Sequence, residues 1–163
     1  MACVSSVKYS DRFNSMETES FTPTRGIRQG DPLFPYLFLM VAEGLSRLIQ
    51  KAEQRGELDG IKVCRGAPTV SHLLFADDSL ILMKADKQNA DCLRSILDRY
   101  CQNSGQLLSE NKSSIFFSEN TTPDVKAEVS AVLNITDESL NDKYLGLPVL
   151  VGVDRSDCSP SSH

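Results

Sequence analysis

Apolar residues change their spacing several times along this chain, and each change marks an expected element. Leu37, Val41, Leu45 and Leu48 recur at intervals of four, four and three, with Phe38 and Ile49 widening the stripe. That spacing predicts an amphipathic helix from about Phe34 to Arg55, ended by Gly56. Its start has two readings: Asp31 as cap with Pro32 in the first turn, or a start at Phe34 followed by Pro35. Short apolar or β-branched runs follow at Ile61–Val63, Val70–Phe75 and Leu80–Met83. The last two flank Asp77-Asp78, which predicts a hairpin with strands near Val70–Phe75 and Ser79–Met83 and the two carboxylates at its tip. Asp86 then caps a helix whose apolar positions, Leu93, Ile96, Leu97, Tyr100 and Cys101, hold helical spacing until Gly105.

Beyond it, Ser113–Phe117 reads as a strand, and Thr122-Pro123 opens a shorter helix with Val125, Val129, Val132 and Leu133 on one face. Residues Tyr144–Val151 are strand-like but interrupted by Gly146 and Pro148. At the other end, Cys3–Tyr9 and Arg12–Phe21 are β-compatible around a polar middle, a hairpin or two short strands. Residues Asp154–His163 carry no periodicity and are expected to be a disordered tail. The single apolar stripes of the two long helices need a cover, so both are expected to pack on the sheet that holds the Asp77-Asp78 hairpin, in a two-layer α+β arrangement.

Composition narrows the function classes. Hydrophobic residues are 40% and charged residues 24% of the 163, a globular balance rather than a disordered or membrane one. The net charge of -5 disfavours broad phosphate-backbone binding, so any nucleic-acid contact has to be local. Acids gather late, at Glu119, Asp124, Glu128, Asp137, Glu138 and Asp142, whereas Arg25 and Arg28 stand in a stretch with few acids. The five cysteines form no Cys-x-x-Cys pair, and His72 and His163 add no zinc spacing, which reads as scattered reduced thiols. No run reaches the length of a membrane span and no signal pattern opens the chain, so an intracellular place, cytoplasmic or nuclear, is expected without membrane contact.

Two constellations can carry chemistry. In Leu73-Leu74-Phe75-Ala76-Asp77-Asp78-Ser79-Leu80-Ile81-Leu82, adjacent carboxylates stand between dense apolar runs. Two acids at one turn ionise together only if water or a cation screens them, and a rigid apolar anchor would hold them ready for a magnesium ion. Alone, such a pair is more often a solvated turn. In Thr24-Arg25-Gly26-Ile27-Arg28-Gln29-Gly30-Asp31-Pro32, two glycines permit close backbone approach, Arg28 and Gln29 offer donors, and a helix N-terminus follows. Alone, that is a loop and a cap.

In this order, however, Arg-Gly-x-Arg-Gln-Gly-Asp-Pro-Leu-x-Pro at 25–35 and Phe-Ala-Asp-Asp at 75–78 resemble the reverse transcriptases of plant-type LINE (non-LTR) retrotransposons. Ser104-Gly105-Gln106 with Lys112-Ser113, and Lys143-Tyr144-Leu145-Gly146-Leu147-Pro148, continue the likeness through about Gly152. The resemblance implies a partial reverse transcriptase domain over residues 1–152. Its fold would be an incomplete, polymerase-palm-like antiparallel sheet with helices on one face. It implies that Asp77 and Asp78 are catalytic and hold Mg2+, and that Lys112 serves the pyrophosphate leaving group. The segment with Arg25, Gly26, Arg28, Gln29 and Gly30, together with Phe75 and Ala76, would line nucleotide and template. Tyr144, Leu145 and Gly146 would support the primer end. The implied partners are an RNA template, a DNA primer and deoxynucleoside triphosphates.

Three positions depart from the family pattern. Phe34 replaces a usual Ser, which should alter helix capping, and Ser109 stands where Asn is usual. The family's first catalytic aspartate has no counterpart before Arg25, since Asp11, between Ser10 and Arg12, lacks the apolar strand. With that carboxylate missing, one metal position is undermined and the chain is expected to be inactive alone. The competing reading is a non-catalytic binding or structural domain in which Asp77-Asp78 is only a turn.

Overall fold

The computed structural model describes residues 8–22 and 32–136, and the backbone of 143–144 and 147–148. Within them lie three α-helices and four antiparallel ribbons, so the α+β class holds. The segment 23–31 and the tail after Gly152 lie outside the described residues.

Helix α1 spans Phe34–Gln54, which settles its start at Phe34 with Pro35 in the first turn. Its N-cap is Leu33, whose side chain makes no capping hydrogen bond; its carbonyl accepts the first helical bond, from the Leu37 N–H at 3.0 Å. Helix α2 spans Lys87–Ser104. Asp86 accepts from the Asn89 backbone N–H at 2.9 Å at its start, and Gly105, at φ +72°, ends it in the left-handed conformation that glycine adopts without a Cβ penalty. Helix α3, Pro123–Leu133, closes on Asn134 at φ +57°, whose side chain donates to Glu110.

These helices make the core, and they make it mainly with one another. Leu45, Ile49 and Ala52 of α1, Ala90, Leu93 and Ile96 of α2, and Val129 and Leu133 of α3 are all buried, joined by Leu58 and Phe117. Arg94 of α2 binds the Leu133 carbonyl at the end of α3 and pairs with Glu110 and Asp98, tying the two helices at that end.

The strands pair only in neighbouring twos: β1 (Arg12–Phe13) with β2 (Met16–Glu17), β3 (Ile61–Lys62) with β4 (Thr69–Val70), β5 (His72–Phe75) with β6 (Asp78–Ile81), and β7 (Lys143–Tyr144) with β8 (Leu147–Pro148). The expected single sheet is therefore replaced, among the described residues, by four ribbons. The first lies where a hairpin or two short strands were expected, but it turns at Asn14 and Ser15, both at positive φ, inside the Arg12–Phe21 run rather than before it, and the Tyr9–Phe21 bridge extends it; residues 1–7 lie outside the described residues.

Two expectations need correction. Residues 113–117 are not assigned to a strand: Ile115 is half-buried and Phe117 buried, so the alternation is present, but no ladder to this run lies among the described residues. The run Val70–Phe75 is divided, with Val70 pairing to Ile61 and a new strand starting at His72. The buried Ser71 stands between them, and its carbonyl accepts from the Leu82 N–H at 2.7 Å.

Candidate active site

The β5–β6 hairpin builds the site. Its register pairs His72 with Ile81, Leu73 with Leu80, Leu74 with Ser79 and Phe75 with Asp78, leaving Ala76 and Asp77 as a two-residue turn. Asp77 is thus at the tip, as predicted, while Asp78 is the first residue of the returning strand. Alternation along the strands puts His72, Leu74, Ser79 and Ile81 on one face and Leu73, Phe75, Asp78 and Leu80 on the other. Leu74 and Ile81 pack against the helical core, so the first face looks inward. Phe75, 57% exposed, and Asp78 share the outer face.

Of the two turn residues only Ala76 has positive φ, +50°. A positive φ at the first central position of a two-residue hairpin turn normally falls to glycine. An alanine there costs about 1–2 kcal/mol, a strain that the surrounding hairpin must overcome.

Both carboxylates are exposed, and no Lys or Arg among the described residues pairs with either. They are hard oxygen donors on adjacent residues, the ligand type magnesium takes. Among the described residues no third His, Cys, Asp or Glu joins them to make a metal-binding group. The donor set fits part of a magnesium shell.

The remaining predicted residues lie elsewhere or outside view. Lys112 ends a 3-10 turn, Glu110–Lys112, which Glu110 anchors to α2 through Arg94 and to the end of α3 through Asn134; these ties belong to the helical core rather than to the hairpin. Arg25, Gly26, Arg28, Gln29 and Gly30 lie outside the described residues. Tyr144 is in β7 and pairs in backbone with Leu147 of β8, while Leu145 and Gly146 lie outside the described residues. No helix among the described residues is long and apolar enough to cross a membrane.

One feature of the hairpin has no signal in residue spacing. His72 Nε2 lies 2.8 Å from Ser46 Oγ of α1, and its Nδ1 lies 2.9 Å from Ser71 Oγ. The histidine was notable in the sequence only for lacking zinc partners. Its hint is positional: a polar ring on the inward register of an apolar hairpin must find hydrogen bonds there.

Comparison with known proteins agrees with the motif order. The family model described as reverse transcriptase (RNA-dependent DNA polymerase) matches residues 2–149. The chain is also 55% identical over 58 residues to an uncharacterized mitochondrial protein of Arabidopsis thaliana, covering 36% of this chain and 48% of that relative. The matched segment thus spans about half of the relative's length. With nearly the whole described chain inside the family match, and an Asp-Asp hairpin turn at its centre, the protein belongs to the reverse transcriptase (RNA-dependent DNA polymerase) family.

Proposed function

We propose that this chain is the metal-hairpin part of a non-LTR, plant LINE-type reverse transcriptase, in which Asp77 and Asp78 hold Mg2+. The observation that carries the reading is the Ala76–Asp77 turn, which sets the exposed Asp77 beside the exposed Asp78 of β6, neither paired with a Lys or Arg among the described residues, on a hairpin anchored on a helical core. Magnesium held there would neutralise charge on the triphosphate of the incoming deoxynucleotide and favour attack by the primer 3′ hydroxyl. Asp77 at the tip and Asp78 beside Phe75 would supply its protein oxygens, and Phe75 and Ala76 would border the nucleotide. Arg25, Gly26, Arg28, Gln29 and Gly30 would contact nucleotide and RNA template, Lys112 would serve the leaving pyrophosphate, and Tyr144, Leu145 and Gly146 would support the DNA primer.

Two-metal phosphoryl transfer needs more carboxylate than this turn provides, because both the attacking and the leaving oxygen are stabilised by an ion. Asp77 and Asp78 by themselves would accordingly hold the ion weakly, and a further carboxylate must join them for catalysis. The test is a titration of Mn2+, a paramagnetic substitute for Mg2+, into the isotope-labelled chain. Amide signals of residues 76–78 should broaden first, and the effect should vanish in Asp77→Ala. Broadening spread over the acids of α3 and spared at 76–78 would refute the assignment.

A further inference from the structure

We infer that His72 is a positioning residue for the Asp77-Asp78 turn, a strap that sets the angle of the hairpin on α1; this rests on the metal-site reading above. Apolar burial holds the hairpin only lightly. Leu74 and Ile81 are half-buried, Leu73 and Phe75 are 46% and 57% exposed, and no hairpin residue ranks among the buried core side chains. Non-directional contacts of that kind leave an element free to rock.

His72 supplies the direction. Its ring reaches across to α1, joining residues 26 apart in sequence at 2.8 Å, while Ser71, itself buried, holds the other nitrogen at 2.9 Å. Gln50, one turn further along α1, donates to the same Ser46 oxygen at 3.3 Å. In either neutral tautomer one hydroxyl donates to its ring nitrogen and the other accepts from the ring N–H, so Ser46 and Ser71 each hold one nitrogen. Both ring nitrogens are then fixed, one to the helix and one to the residue that begins the hairpin.

The lever arm makes this matter at the tip. At about 3.3 Å per residue, the turn lies roughly 13 Å beyond His72. A rock of about 10° at the strap would therefore move the carboxylates by about 2 Å, against a tolerance of roughly 0.5 Å for a working site. The strap acts through the hairpin and touches no ligand itself.

The experiment measures residual dipolar couplings of the backbone amides in the full, metal-free chain, comparing hairpin residues 73–80 with α1. In the native chain one alignment tensor should fit both. In His72→Ala the hairpin couplings should depart from that tensor while those of α1 keep it, and His72→Asn, which retains a donor and an acceptor, should restore part of the fit. Ser46→Ala, which removes the helix-side partner without opening a cavity, should act in the same direction and serves if His72→Ala does not fold. A role in stability alone would lower the melting temperature and leave the couplings unchanged. Unchanged couplings in both His72→Ala and Ser46→Ala overturn the inference. A second arm follows Mn2+ broadening at residues 76–78, where His72→Ala should weaken binding about tenfold; unchanged affinity with a reoriented hairpin would show that the strap does not serve the metal site. Absence of broadening in the native chain refutes the metal reading, while the couplings still decide whether His72 orients the hairpin.

Discussion

The helical core and the Asp77-Asp78 hairpin stand on different physics. Ile49 and Ala90 are fully buried and Val129 is 1% exposed, each packed by side chains from a neighbouring helix. The hairpin rests two half-buried side chains on that core, leaves Phe75 and Asp78 of its outer face exposed, and is tied by directional bonds through Ser46, Ser71 and His72. Burial makes one region stable without fixing any particular group to a fraction of an ångström. Hydrogen bonds orient the other while adding little to stability. On the reading proposed above, the Asp77 and Asp78 carboxylates need orientation more than burial, which is consistent with their place at an exposed tip.

Substitutions in the two regions should accordingly differ in size. The largest effect is expected from Ile49→Ala, which empties the centre of the helical core and should destabilise the chain by about 2–5 kcal/mol. Denaturant unfolding followed by circular dichroism measures it, and a loss below 1 kcal/mol would mean that the helices do not share this core.

Next comes the cap of α2. Asp86→Ala removes the bond to the Asn89 N–H and should cost about 1 kcal/mol. Burial alone would raise the Asp86 pKa, but hydrogen bonds from the Asn89 backbone and side chain, with the charge of Lys84, hold it below the usual carboxylate range. A depressed folded pKa means that the ionised form stabilises the fold at neutral pH, and that this contribution is lost as the pH falls through the folded value. The native chain should therefore lose stability as the pH falls below the ordinary Asp value of about 3.9, and Asp86→Ala should flatten that slope.

In the hairpin, Ala76→Gly should change stability in the opposite direction. Relief of the positive φ outweighs the extra freedom of glycine in the unfolded chain, for a gain of about 0.5–1 kcal/mol. A loss on that substitution would show that the turn is unstrained. The smallest effect belongs to the exposed Glu43–Arg47 pair on α1, where Glu43→Ala should cost less than about 0.5 kcal/mol and become undetectable in high salt.

The regions also differ in how far the sequence discloses them. The bounds of α2 were readable because caps are local: Asp86 and Gly105 act within a turn of their own positions, whereas α1, which has no side-chain cap, left two starts open. The tip of the hairpin was readable for the same reason, since apolar runs on both sides of Asp77-Asp78 leave one place for a turn. Long-range pairing was not. Residues 113–117 alternate as a strand should, yet a ladder needs a neighbour that their own sequence does not specify, and the runs near Ile61 and Val70 pair with each other rather than with the hairpin. The strap from His72 to Ser46 depends on which helix face meets which strand, a fact of tertiary packing that no residue spacing encodes.

The central claim is that Asp77 and Asp78 form a reverse transcriptase metal turn that requires another carboxylate to work. Primer extension on a primed RNA template, with Mg2+ and all four deoxynucleotides, tests it most directly. The purified 163-residue chain should extend no primer, and a longer polypeptide that adds an aspartate-bearing apolar strand upstream should extend it in a manner abolished by Asp77→Ala. Extension by the 163-residue chain alone, lost in Asp77→Ala, would contradict the account, because some residue already present would then complete the site.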